Sequence, residues 1–235
     1  MDKRVKYALY GTAGVATLAG TYYGAKALMS TNSPGATLLT PVQAVVTLAS
    51  GGALARWTRS NGQPPTSLLE KGSPTFWPDG TGASSATATR DVRGLHTLIQ
   101  RVTTANDKLA ACYVALAVHE AGVTASHCYR HNAWGVHWYR TMEPRPGFLS
   151  TDAGVPTMFL AFENWTQSVQ YLHDTLLERS DAYASAKADG AAGDIVGFTR
   201  YLGQGGYAAI YRRNPEELRA VYDSLVNRGA LARVL

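Results

Sequence analysis

Cysteine is nearly absent from this sequence: Cys112 and Cys128 are the only two in 235 residues. That excludes a disulfide-built scaffold, and without a Cys-x-x-Cys spacing it excludes the usual zinc or dithiol redox site. A single bond between the two would close a loop around Glu120 and would belong to an oxidising compartment; two small buried thiols are the alternative. Charge is also sparse. Charged residues make up 17% of the chain against 46% apolar residues, a balance that rules out disorder throughout. The net charge of +5 favours polyanions, whether nucleic acid, an anionic membrane face or the acidic bacterial cell wall, and does not choose among them. The basic residues form no single run. Lys3, Arg4 and Lys6 stand at the N-terminus, while Arg212, Arg213, Arg219 and Arg228 are scattered near the C-terminus, a pattern that argues against specific nucleic-acid binding.

Aromatic residues are plentiful. Thirteen Tyr and five Trp supply surface for a core or for a sugar-binding cleft. The length suits one domain of roughly 100 to 200 residues with a further segment attached. Residues 1–35 supply that segment: the stretch YALYGTAGVATLAGTYYGAKALM, residues 7–29, has Lys26 as its only charge and is a candidate membrane anchor or membrane-active helix. Its Ala, Gly and Thr content makes insertion marginal, and Gly20 and Gly24 suit close helix packing. A cleaved secretory signal and an ordinary packed helix are the competing readings. Residues 36–88 combine a second apolar run, interrupted by Pro41, Gly51 and Gly52, with a Pro-, Gly- and Ser-rich stretch that reads as a linker. Residues 89–235 then form the main domain.

Helix signals recur in that domain. Asn106 is placed to cap a helix that Gly122 ends; Asn164 caps one with the face Trp165, Val169, Leu172 and Leu176; Asp194 starts one with Ile195, Phe198 and Leu202. A last helix is expected from Asn214 and Pro215, with Glu216 and Glu217 in its first turn and the stripe Leu218, Val221, Tyr222, Leu225 before Gly229. WGVHWY and VPTMFLAF read as two short strands around a loop with Pro144, Pro146 and Gly147. The expected fold is mainly α (α+β): a helical domain with a small β-hairpin, preceded by the N-terminal apolar helix.

In the helix after Asp107 the stripe Leu109, Cys112, Tyr113, Leu116 leads at helical spacing to Glu120, so a carboxylate ends the buried face. Burial and the negative end of the helix dipole would both keep it protonated, as a glycosidase acid requires. The alternative is a Glu120 that pairs with a nearby Arg or His and only stabilises the fold. His119, His127, His131 and His137 crowd around it, yet the position four after His119 is Val123, so the spacing of a zinc protease is missing and no metal or other cofactor is expected.

At these residues the chain resembles a family. ALAVHEAG followed by HNAWGVHW is similar to the glucosaminidase domain of bacterial autolysins and the flagellar muramidase, and FLAFENWTQSVQYLHDTL and YLGQGGYAAIYRRNPEELRAVYDSL resemble its later segments in the same order. The resemblance implies a lysozyme-like fold and hydrolysis of the β-1,4 bond between N-acetylglucosamine and N-acetylmuramic acid in peptidoglycan. It implies Glu120 as the general acid, Glu143 in the loop RTMEPRPG as a second carboxylate, and Tyr207 of Gly-Tyr-Ala beside the reacting centre. Asn132, Trp134 and Gly135 occupy the family's Asn loop, and Trp134 with Trp138 would stack on sugar faces or serve the core. Glu143 as a plain loop charge and Tyr207 as a buried structural residue stay open beside these roles. Val123, His131 and Ala209 depart from the pattern and motivate a different alternative, a non-catalytic glycan-binding or structural protein. A lytic transglycosylase is the nearest chemical alternative. The expected partners are peptidoglycan strands, a membrane through the N-terminal helix, and other subunits of an envelope complex or a phage virion. The expected location is the cell envelope, with an inner-membrane anchor and a periplasmic domain, or the virion.

Overall fold

The computed structural model describes residues 64–80, 91–152, 154–227, 229 and 231. The apolar stretches at 7–29 and 36–55 lie outside the described residues. Among the described residues, no helix is long and apolar enough to cross a membrane. The described residues are mainly helical with a small three-stranded sheet. They divide into two compact units, one holding residues 64–70 and 139–158 and the other 71–138 and 159–231 within the described range.

The helical unit is built around α2, Asp107–Ala121, in which every residue from Leu109 to Val118 is buried. An amphipathic stripe would leave one face wet; this helix is apolar on all sides and takes neighbours all round. Its ends are set locally. The Asn106 side chain accepts the Leu109 N–H at 2.9 Å, and Gly122, at φ 80°, turns the chain out of the helix. Helices α1 (Arg93–Val102), α4 (Asp181–Ala192) and α7 (Arg219–Asn227) pack against it. α4 carries no large-residue stripe, because it meets α2 through small residues: a Cβ on Gly190 would lie 2.7 Å from Leu109 Cδ1 and 3.1 Å from Phe198 Cδ2. Cys112 and Cys128 are separate buried thiols, and burial pushes Cys112 up to about 12, out of reach of nucleophilic chemistry at neutral pH.

Asn164 and Asp194 cap as expected. The Asn164 side chain accepts the Gln167 N–H at the start of α3, Trp165–Gln170, and the Asp194 carboxylate accepts two N–H groups at the start of α5, Ile195–Gln204. α3 continues into a π-helical turn, Tyr171–Leu176, which buries His173 together with Leu172 and Leu176. The last helix begins later than its capping signal suggests. Residues 215–218 form tight turns, with Glu217 N–H bonded to Asn214 O and Arg219 N–H to Glu216 O, and α7 starts at Arg219.

The sheet runs β1-β2-β3, from β1 (Leu68–Leu69), β2 (Gly147–Asp152) and β3 (Val155–Leu160), with β1 parallel to β2. The strand expected over WGVHWY does not form. It makes one isolated bridge, His137 with Phe159, and GFLSTD takes the hairpin position instead. The reason is local: Gly135 sits at φ 58° and the Asn132 side chain takes the Val136 N–H, so this backbone is bent and partly satisfied before a neighbouring strand reaches it.

The stretch 71–80 has the Pro and Gly content of a linker, yet that does not keep it out of the core of the helical unit. Trp77 is 0% exposed; its indole N–H donates to Val123 O at 2.8 Å, and Trp165 returns a bond to Phe76 O at 3.1 Å. Thr75 N–H reaches Cys128 O at 2.7 Å. The segment is therefore tied to the chain that follows α2, at Val123 and Cys128, and to Trp165 at the start of α3.

Three histidines in the helical unit are held neutral. Burial dominates in lowering His96, which lies 3.2 Å from Asp107 O, and His131, whose Nδ1 is 3.1 Å from Phe162 O. It also dominates for His173, set between Tyr113 Oη at 3.0 Å and Thr104 Oγ1 at 3.1 Å. Below the ordinary histidine value of 6.5 the unfolded chain binds protons that these sites refuse, so their contribution is full above that pH and is lost as pH falls through their depressed values. Thermal melts are expected to show a lower midpoint at about pH 5 than at about pH 7, and an unchanged midpoint would contradict the assignment of neutral, buried imidazoles.

Candidate active site

Glu120 lies in the last turn of α2, where the helix leaves the core. Its side chain is 28% exposed, so the carboxylate stands at the boundary between core and solvent. Tyr211 Oη donates to Glu120 Oε1 at 2.7 Å. Tyr211 is fully buried on the short helix α6, Ala209–Arg213, and its place depends on Gly203 of α5, where a Cβ would come within 2.3 Å of the Arg212 backbone nitrogen. The second carboxylate oxygen lies beside Gly135: a Cβ built on that glycine would stand 3.3 Å from Glu120 Oε2. Among the described residues no donor is bonded to that oxygen.

Tyr207 stacks on Tyr211, ring centroids 5.9 Å apart at 28°, and its hydroxyl donates to Trp134 O. It thereby ties the loop carrying Gly135 to the helix carrying the carboxylate's partner. Burial first, then the negative charge of Glu120, holds both phenols well above their usual range. Both remain neutral donors at any physiological pH. His119 is raised as well, which for a base favours the charged form: the Glu120 carboxyl group 3.9 Å from its Nδ1, and then Glu217 hydrogen-bonded to its Nε2, outweigh the effect of burial.

Gly135 and Tyr207 thus join Glu120. The other residues of the Asn loop build it from within. Asn132, 5% exposed, donates to Val136 O at 2.9 Å and Leu160 O at 2.8 Å and accepts from Val136 N–H. Trp134, 1% exposed, donates its indole N–H to Tyr113 O at 3.1 Å, and Trp138 is 3% exposed; these two rings present almost no face to a glycan. Glu143 belongs to the other compact unit, exposed at the end of the 3₁₀ turn Arg140–Met142.

The four histidines near Glu120 in sequence go separate ways. His119 faces Tyr211 and Glu217, His131 the Phe162 carbonyl, His137 the ring of Phe159, and His127 is exposed. Among the described residues no group of three His, Cys, Asp or Glu side chains converges on a metal position.

No protein-family model matches this chain, and no match is found among curated proteins. Solved structures do match. The fold is similar to that of a mutant of the peptidoglycan hydrolase from Sphingomonas sp. A1, with 20% identity, coverage of 62% of this chain and 95% of that chain, and a TM-score of 0.48. It is similar also to a crystal structure of the peptidoglycan hydrolase from Sphingomonas sp. A1, with 21% identity, coverage of 61% and 88%, and a TM-score of 0.45.

Tyr211, His119 and Glu217 were not marked as site residues by sequence reasoning. Tyr211 follows Tyr207 at a spacing of four, the one local hint that both rings share a face. Glu217 carries the signature of a helix first turn, and its structural use is different: the turn presents it to His119.

Gly135 offers a direct check of the open oxygen. Gly135→Ala forces an alanine to a positive φ, at a cost of roughly 1–2 kcal/mol, and brings a methyl group to Oε2. Activity on a glycan substrate is expected to fall at least about tenfold, beyond what the loss of stability accounts for. Paired urea melts and turnover measurements check this, and a variant as active as the wild type would mean that substrate does not approach Glu120 from the Gly135 side.

Proposed function

We propose that this protein hydrolyses the β-1,4 glycosidic bonds of peptidoglycan strands, as an N-acetylglucosaminidase-like enzyme with Glu120 as general acid. The observation that carries the reading is the setting of Glu120: one oxygen bonded to a buried phenol, the other facing a glycine, on a side chain partly open to solvent. A carboxyl group so placed can give its proton to a leaving oxygen on the open side. The carboxylate left behind is stabilised by the Tyr211 O–H, a hydrogen bond that strengthens as charge develops. The order of the Glu120, Asn-loop and Gly-Tyr-Ala motifs, similar to that of the glucosaminidase family, supports the choice of substrate.

The opposite side of the sugar needs a base, a nucleophile or an internal group. The substrate's own acetamido group can assist there, in which case no second carboxylate is required. The apolar stretch at residues 7–29 and the residues that follow it suit an enzyme held at the cell envelope or carried in a phage virion to open the wall. Mass spectrometry of fragments released from purified peptidoglycan by the full chain tests the bond assignment. Reducing-end N-acetylglucosamine is expected. Reducing-end N-acetylmuramic acid would replace the reading with a muramidase, and anhydro ends with a transglycosylase.

A further inference from the structure

The hydroxyl that serves Glu120 is itself held. Tyr211 Oη lies 3.1 Å from His119 Nδ1, and His119 Nε2 lies 3.3 Å from Glu217 Oε1. The other Glu217 oxygen accepts the Asn214 amide at 2.8 Å. A continuous chain therefore runs Asn214, Glu217, His119, Tyr211, Glu120, drawn from α2, α6 and the turn ahead of α7. Counting hydrogens gives it a direction. A phenol has one proton, so when that proton goes to Glu120, the phenol oxygen must accept from an N–H on His119 Nδ1. A carboxylate only accepts, so His119 Nε2 must carry a hydrogen as well. An imidazole with hydrogen on both nitrogens is a cation. With His119 neutral and its hydrogen on Nε2, Nδ1 becomes an acceptor and competes with Glu120 for the single Tyr211 proton.

Resting on the hydrolase reading above, we propose that His119 and Glu217 are positioning residues for the reaction, acting through Tyr211. The His119 cation, fixed by Glu217, commits the Tyr211 proton to Glu120 Oε1. In the acid step the Glu120 carboxyl proton passes to the glycosidic oxygen, the C1–O bond breaks with its electron pair going to that oxygen, the oxocarbenium-like C1 is captured by water or by the substrate's own acetamido oxygen, and Glu120 is left as a carboxylate. Tyr211 and His119 keep their protons throughout and stabilise the new anion. The groups facing His119 are Glu120 from its own helix, 3.9 Å from Nδ1, Tyr211 from α6, and Glu217 from the turn. Glu217 thus holds the cation before the acid step, and the Glu120 carboxylate formed in that step faces it from the other side.

The test is the pH–rate profile of peptidoglycan cleavage by the full chain. His119→Gln is expected to lower kcat about tenfold at every pH with KM unchanged, because no cation then commits the Tyr211 proton to Glu120. Glu217→Gln keeps an acceptor for Nε2–H but removes a charge that holds His119 protonated, so this variant should match the wild type at low pH and fall to the His119→Gln rate at a lower pH than the wild type does. A purely structural role would reduce both rates by a factor independent of pH. A Glu217→Gln profile parallel to that of the wild type, or an undiminished His119→Gln, overturns the positioning role, while a wild type that cleaves leaves the hydrolase reading standing. A wild type that releases no product sinks both. Should either variant fail to fold, ¹⁵N imidazole shifts of the wild type decide: both His119 nitrogens protonated at the pH of maximal cleavage is the expected result, and a neutral ring there overturns the proposal.

Discussion

Trp77→Ala is expected to destabilise the helical unit by about 3–5 kcal/mol, the range for emptying a fully buried large aromatic site. The indole is 0% exposed, lies 5.8 Å from the Trp165 ring, and bonds to the carbonyl of Val123, one residue past the glycine that ends α2. Alanine leaves a cavity and an unpaired carbonyl together, and the two costs add. For a unit of this size that corresponds to a drop in melting midpoint of roughly 10 °C. Trp77→Phe should lose less, because the ring still fills most of the space. A chain begun at Ala86 lacks the whole 71–80 segment and should be at least as unstable as Trp77→Ala. A midpoint within experimental error of the wild type for Trp77→Ala would mean that the segment is not part of the folded core.

Glu120→Gln is expected to reduce turnover on peptidoglycan by about 10²–10⁴-fold, the contribution of a positioned general acid. Gln keeps the size of the side chain and an oxygen to accept the Tyr211 hydroxyl, so the packing around Tyr211 and His119 should survive. It has no proton to give at the pH of the reaction. Near-normal melting with lost turnover would separate chemistry from folding. The competing role, in which Glu120 is a structural partner of Tyr211 and His119, calls for the reverse: a clear loss of stability and turnover that follows the folded fraction. Substrate binding should be retained in the variant, since no binding role rests on the charge of Glu120.

What the sequence made legible follows the range of the physics. Caps are local, so Asn106, Asn164 and Asp194 announced three helix starts that the backbone reproduces. Glu120 was legible as the polar end of an apolar helix. The stripe drawn to reach it was too narrow, because Ala at so many positions lets the helix bury every side rather than one. The partners of Glu120 were out of reach. Trp77 meets Val123 across 46 positions, Tyr211 meets Glu120 across 91, and Glu217 meets His119 across 98, and none of these pairings leaves a periodic trace. α4 escaped for a related reason: Tyr183, Ala186 and Gly190 are its buried residues, and two of the three look like filler in a hydrophobicity pattern. Gly135 brings the Asn loop beside Glu120, while the loop's conspicuous aromatic, Trp134, is buried and gives its indole N–H to the Tyr113 carbonyl.

The most direct test of the central claim is a paired incubation of the full wild-type chain and Glu120→Gln with purified peptidoglycan, reading sedimented protein and soluble reducing ends from the same tube. Both proteins are expected to sediment with the wall, and only the wild type to release reducing ends. A wild type that sediments, is folded and releases nothing would make this a glycan-binding protein, and equal release by both would take Glu120 out of the chemistry.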